Sequence, residues 1–202
     1  MKREEFNRGW IFYCEGQAAD AREVELPHDA MLYERRRKDA PSGNGCAFFE
    51  GGTYVYEKRW YADMFRREQC IILEFGGVYR DAVVSVNGET VCKRPYGYSL
   101  FRVEIGPYLK FGEENLIRVV ADNSRQPNSR WYSGSGIYRE VFLLSGERSH
   151  ILPDGIRVTT LELYPPSVKV EVRTRNCADD EIRMEILDGE RVLAEAGGGE
   201  QI

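Results

Sequence analysis

From Tyr54 onward the chain alternates with a two-residue period. Tyr54, Tyr56, Lys58 and Trp60 fall on one side, and Val55, Glu57, Arg59 and Tyr61 on the other. That is the pattern of a strand whose two faces meet different surroundings. The apolar runs at 70–75 and 82–86 follow, then Asn87-Gly88, a dipeptide that supplies the positive φ angles of a tight hairpin, with Glu89-Thr90-Val91-Cys92 returning. Phe101, Val103 and Ile105 alternate with Arg102 and Glu104, and 115–121 reads as a further strand. Nearer the start, Phe6 to Phe12 reads as a first strand entered through a turn, with Trp10 and Phe12 on one face. Val24-Glu25-Leu26 is a short one ended by Pro27, with Asp29 placed to cap a short helix over 30–36. No helix–strand alternation of the parallel type occurs. The expectation is an all-β chain built as an antiparallel sandwich.

The pattern changes after 144. Ser145-Gly146-Glu147-Arg148-Ser149 reads as a linker. Beyond it, four strands are expected at 155–160, 168–174, 181–187 and 191–195, the last two joined by Asp188-Gly189. An independent sandwich needs about seven strands. The second domain is therefore expected to be cut short, with the glycine-rich stretch 197–202 adding no closing strand. The division is 1–148 and 149–202.

Two polar stretches interrupt the strands. Residues 40–53 form a long loop rich in Gly, Pro, Ser and Asn that also holds Phe48, Phe49 and Glu50; a loop of that length points to a site. The second is Ser129 to Arg139, where Arg130, Trp131 and Tyr132 precede a turn carrying Gly134 and Gly136. Flat aromatics beside planar donors suit sugar rings, which offer C–H faces and hydroxyl edges. The other reading of this stretch is a turn with Trp131 in the core. For Trp10, Trp60 and Tyr79 the core is the reading preferred. His28, between Pro27 and Asp29, reads as a hydrogen-bonder of the turn. Arg139 is expected to pair a buried carboxylate or carbonyl, and Glu140 to face solvent.

Composition narrows the function classes. The 202 residues carry a net charge of −5, with 42% hydrophobic and 30% charged residues. A globular chain follows, and nucleic acid is not the expected partner, because phosphate binding wants a basic field. The basic run Arg35-Arg36-Arg37-Lys38 reads as solvated. No apolar run approaches the roughly 18 residues of a membrane span. The start of the chain shows no apolar signal segment, so the expected location is cytoplasmic, with no membrane partner. Five widely spaced cysteines without a C-x-x-C pair fit reduced thiols, and two isolated histidines do not fit a metal cage.

An ordered set of motifs runs through the first 145 residues. It comprises Phe6-Asn7 with Trp10, Leu26-Pro27-His28-Asp29, Phe75-Gly76-Gly77-Val78-Tyr79 with Ala82, and Val86-Asn87-Gly88. Pro95-Tyr96-Gly97-Tyr98 with Phe101 follows, then Asp122-Asn123-Ser124, and finally Arg130-Trp131-Tyr132-Ser133-Gly134-Ser135-Gly136-Ile137-Tyr138-Arg139. In this order they resemble the N-terminal sugar-binding domain of glycoside hydrolase family 2, which includes β-galactosidases, β-glucuronidases and β-mannosidases. The resemblance implies a jelly-roll β-sandwich, then a partial immunoglobulin-like β-sandwich, then a catalytic TIM barrel that this sequence lacks. It also implies a β-galactosidase-like retaining enzyme of terminal β-glycosides, inactive as this piece alone, with the barrel as its partner in cis.

The family's acid/base glutamate follows an asparagine, and no Asn-Glu dipeptide occurs here. No catalytic residue, metal ligand or cofactor is therefore assigned. The candidate pocket rim is Glu50, Asn128 and Arg130 as hydroxyl binders, with Trp131 and Tyr132 as an apolar wall. Self-association and the choice among galactoside, glucuronide and mannoside stay open. A free-standing carbohydrate-binding module of jelly-roll type is the alternative, and a purely structural sandwich is a third reading.

Overall fold

The computed structural model describes residues 1–178 and 181–197. Within them the chain divides into two compact units, Lys2–Ser145 and Met1 with the residues from Gly146 onward. The first unit is a two-layer antiparallel sandwich. One sheet has four strands in the order β1 (Lys2–Glu5), β10 (Val141–Gly146), β5 (Cys70–Phe75), β8 (Phe101–Glu104). The other has six, in the order β3 (Arg22–Val24), β2 (Trp10–Cys14), β4 (Thr53–Ala62), β9 (Glu113–Asp122), β6 (Ala82–Val86), β7 (Glu89–Arg94).

Alternation decides which side chains fill the space between the layers. Tyr54 and Tyr56 of β4, Val84 and Val86 of β6, and Ile117, Val119 and Ala121 of β9 point inward from the six-stranded sheet. Ile71, Leu73 and Phe75 of β5 meet them with Phe101 and Val103 of β8 and Val141 and Leu143 of β10. Trp10 closes one end, fully buried, its indole N–H donating to Phe6 O at 2.8 Å. Burying an aromatic of this size is worth about 2–3 kcal/mol, and the satisfied N–H removes the polar cost.

Strand β5 is buried on both faces. Its outward residues Cys70 and Ile72 pack with Leu144 and Phe142. Glu74, also outward, takes Arg102 from its register partner on β8 at 2.6 Å and Arg3 from β1 at 3.0 Å. The Arg3 guanidinium lies over the Phe142 ring on the way. A buried carboxylate is tolerable only with such partners.

The strands at 54–61, 70–75, 82–86, 89–92, 101–105 and 115–121 form within a residue or two of expectation. Asn87 and Gly88 sit at φ +51° and +87°, as their hairpin requires. The start of the chain differs. Residues 6–9 are the turn between β1 and β2, and the first strand is Lys2–Glu5, paired along β10 from Lys2↔Ser145 to Glu5↔Phe142. A strand of four charged residues has no apolar alternation to betray it.

The helix after Pro27 is a single 3₁₀ turn, Ala30–Tyr33, capped by Asp29. The long loop holds another 3₁₀ turn, Gly43–Cys46, and its own small core of Met31, Cys46 and Phe49. The expected linker shrinks to 147–149, because Ser145 and Gly146 complete β10 and β11 starts at His150.

The second unit shows two hairpins. β11 (His150–Leu163) pairs with β12 (Pro166–Arg175), with a register shift between Ile151 and Ile156, and β13 (Arg183–Asp188) pairs with β14 (Arg191–Gly197). The four expected strands are all present, the first longer than its apolar core. The rest of the glycine-rich stretch, 198–202, lies outside the described residues.

Candidate functional site

The two polar stretches singled out above meet at one end of the sandwich, and two polar side chains join them, one half-buried and one buried. Asp29 is the first. Its Oδ1 accepts from the amides of Met31 and Ser135, both at 3.0 Å, and its Oδ2 accepts from the Tyr132 hydroxyl at 2.5 Å. Backbone bonds from His28 N to Ile137 O and from Ala30 N to Ser135 O, each 2.9 Å, run alongside. Gly134 is needed here. Its φ is +66°, and a Cβ would stand 3.0 Å from Asp29 Oδ2.

Asn123 is the second, fully buried. Its Nδ2 donates to Ser135 Oγ at 2.6 Å, and its Oδ1 accepts from Asn128 Nδ2 at 2.7 Å and Gln126 Nε2 at 3.1 Å. Its backbone N–H donates to Gly52 O at 2.8 Å. Ser42 Oγ bonds the Gln126 side chain from the long loop. A buried amide with donor and acceptor both used locks its neighbours, whereas one left unpaired costs about 1–3 kcal/mol.

Of the five candidate rim residues, this lattice brings four together. Asn128 is committed to structure: its amide bonds Asn123 and Arg125 O, and its Oδ1 accepts from Tyr79 Oη at 3.2 Å. Arg130 is exposed, its Cα packed near Gly45 of the long loop. Trp131 is 59% exposed, which rules out the core reading, and its Nε1 donates to Tyr98 Oη at 3.0 Å. Tyr132 packs on Phe49 at 5.5 Å between ring centroids. Burial, then the Asp29 carboxylate, raises its phenol pKa well above the usual tyrosine range, so it acts as a donor. Glu50 follows Phe49 on the long loop but is turned to Arg37, 3.3 Å away, and both are solvated.

His28 is a hydrogen-bonder, though toward the core and not within its turn. Its Nδ1 is 2.8 Å from Tyr56 Oη, and its ring stacks on Tyr33 at 5.2 Å. Burial, with Arg22 nearby, lowers its pKa to about 4, so the ring is neutral near pH 7. Arg139 differs from expectation. It is exposed, with its guanidinium 5.4 Å over the adjacent Tyr138 ring, because residues 137–140 precede β10 and do not continue its alternation. Trp10 and Tyr79 are buried, Trp60 is half-buried against Phe6, and Glu140 is exposed.

The lattice positions side chains, and the carboxylates within it are already engaged. Asp29 accepts three hydrogen bonds, Glu34 takes the Tyr54 hydroxyl and the Gly51 amide, and Glu50 pairs Arg37. Retaining glycoside hydrolysis wants two free carboxyl groups about 5–5.5 Å apart across a sugar. Among the described residues no group of three or more His, Cys, Asp or Glu is placed to hold a metal ion. Sequence reasoning read Asp29 as a helix cap and a motif member, and Asn123 as one member of a motif. Their role in tying the two loops together depends on residues more than ten positions away, which no local pattern shows.

No family model matches the chain. Among curated proteins it is 40% identical over 168 residues to β-galactosidase BoGH2A of Bacteroides ovatus, covering 79% of this chain and 20% of that protein. It is 30% identical over 203 residues to a β-glucuronidase of Bacteroides fragilis, covering 93% of this chain and 28% of the other. The chain thus spans between a fifth and somewhat over a quarter of the length of these relatives. A crystal structure of a glycosyl hydrolase family 2 member from Bacteroides cellulosilyticus matches 98% of this chain and 28% of its own, with a TM-score of 0.81 at 30% identity. A β-glycosidase from Bacteroides vulgatus matches 89% of this chain with a TM-score of 0.80 at 26% identity. With the ordered motifs, the all-β sandwich and these matches in agreement, the chain belongs to glycoside hydrolase family 2, of whose enzymes it represents the N-terminal sandwich region.

Proposed function

We propose that this chain is the non-catalytic N-terminal part of a retaining glycoside hydrolase acting on terminal β-glycosides, with β-galactosides as the substrate. The higher identity to a β-galactosidase than to a β-glucuronidase supports that order of sugars. The observation that carries the reading is the convergence of loops 42–52 and 123–135 on Asn123 and Asp29, which leaves Arg130 and Trp131 exposed at one end of the sandwich. Held in this way, they form part of a pocket wall without needing a ligand to order them. The acid/base and nucleophilic carboxylates come from a barrel beyond these residues. The strands from His150 onward start an immunoglobulin-like sandwich between the two in sequence.

The test has two arms. The 202-residue chain alone gives no turnover of a chromogenic β-galactoside; turnover would sink the assignment. In the longer protein, Arg130→Ala and Trp131→Ala raise KM by about tenfold, the loss of one or two good contacts. An unchanged KM in both variants removes this loop from the pocket.

A further inference from the structure

A group of aromatics continues from Trp131 away from the loop lattice. Tyr96 and Tyr98 flank Gly97 on the loop between β7 and β8. Gly97 lies against the Tyr79 ring, and a Cβ there would collide with it. The Tyr138 hydroxyl donates to Gly97 O at 2.9 Å, so the loop is pinned from two sides. The Tyr98 ring packs on Tyr79 at 5.1 Å and meets Tyr96 edge-on at 5.8 Å. Trp131 reaches across and donates its indole N–H to Tyr98 Oη.

This cluster is pinned by contacts and also exposed: Tyr96 by 61%, Trp131 by 59% and Tyr98 by 37%. A large aromatic left in water needs a reason when its neighbours hold it there. The one polar atom of the indole is already occupied, so Trp131 presents only ring to whatever approaches. Ring faces with a phenol at the edge match the C–H faces and hydroxyl rims of pyranoses.

We propose that Tyr96, Tyr98 and Trp131 form a stacking platform for an oligosaccharide chain, holding sugars beyond the terminal one. Resting on the function proposed above, this makes the substrate an extended glycan and not a disaccharide. The platform adds length recognition: Arg130 and Trp131 border the terminal unit, and Trp131 with the two tyrosines carries the units that follow.

The test is a titration of the 202-residue chain with cellohexaose and with β-1,4-galactohexaose, read by calorimetry and by tryptophan fluorescence. Trp10 is buried and Trp60 half-buried, so a sugar on the surface is reported by Trp131. The expected result is saturable binding of at least one hexasaccharide, at least about tenfold tighter than galactose. Tyr96→Ala weakens it by about tenfold, and Trp131→Phe, which keeps a ring but loses the bond to Tyr98, by less. Urea unfolding of each variant confirms that the fold is retained.

Absence of a saturable response to both hexasaccharides overturns the proposal. So does binding unchanged in Tyr96→Ala, or a patch consumed by self-association that Tyr96→Ala abolishes in sedimentation. Failure of the proposed function would show instead as no glycosidase turnover by the longer protein, a result that leaves this titration untouched. Failure of the platform leaves turnover of small chromogenic glycosides untouched.

Discussion

The phenol of Tyr132 donates to Asp29 Oδ2 at 2.5 Å, joining two segments 103 residues apart. The same carboxylate caps the 3₁₀ turn at Ala30 and holds the Ser135 amide. One side chain therefore sets the start of a turn, the course of a loop and the direction of an aromatic. Replacing Asp29 by Ala removes a cap, worth about 1 kcal/mol, and strands a loop amide worth about 1–2 more. Urea unfolding should show a loss of about 2–3 kcal/mol, and hydrogen exchange at Ser135 should quicken. Asp29→Asn keeps an acceptor and should lose less than half of that. A stability within 0.5 kcal/mol of the parent in Asp29→Ala would refute the clamp.

Asn123 and Ser135 should be coupled. Both are buried, and their side chains meet at 2.6 Å. Asn123→Ala leaves Ser135, Gln126 and Asn128 with lost partners and should cost about 2–4 kcal/mol. Ser135→Ala should cost about 1. In a double-mutant cycle the pair should show an interaction energy of about 1 kcal/mol or more. Simple additivity would mean that the two act independently.

His28 makes stability depend on pH. Its folded pKa is lowered to about 4 by burial and then by Arg22, with Asp29 opposing. The ring packs between Phe12, Tyr33 and Tyr56. In the unfolded chain the group takes up a proton below about pH 6.5, whereas the native protein resists until about pH 4. The unfolded state thus binds more protons in that window, and stability falls as pH drops through it. The full loss is about 3 kcal/mol, complete below about pH 4. His28→Gln should flatten the decline between pH 6.5 and 4; a slope that persists in that variant assigns it to other groups.

Glycines separate strain from collision. Gly136 sits at φ +93°, and a Cβ there would run into the Tyr56 hydroxyl. Gly88 has φ +87° with nothing within 4 Å. Gly88→Ala should cost about 1–2 kcal/mol, the backbone cost alone. Gly136→Ala adds a steric clash with a buried tyrosine and should cost more than about 3 kcal/mol. Thermal melts of the two variants decide it, and equal losses would contradict the crowding at Gly136.

Much of the sandwich was legible because its strands are half buried. Ala82, Val84 and Val86 are buried while Val83 and Ser85 between them are half-buried, in a run whose apolar content marks it as a strand, and Asn87-Gly88 announces its own hairpin. Strand β1 was not legible, because Lys2-Arg3-Glu4-Glu5 lies on an edge and is held by ladder bonds and ion pairs that no apolar period encodes. The site was half legible. Trp131 and Tyr132 stood out by residue type, but an asparagine inside a polar loop looks solvated until Ser135, Gln126 and Asn128 are seen around it. Arg139 was misread because a strand was continued backwards through residues that form an irregular turn.

The pairing of β1 with β10 has a consequence for how the sandwich forms. Lys2 meets Ser145, so the first strand of the sheet has no ladder partner until almost the whole unit has been synthesised. Its charged side chains keep that waiting segment soluble and unattractive to other strands. In the six-stranded sheet β2–β3 and β6–β7 are consecutive hairpins, but β9 must reach back to both β4 and β6, and the four-stranded sheet closes only at the end. Folding should therefore be slow for the size of the unit, governed by this long-range closure, with the N-terminal strand docking last.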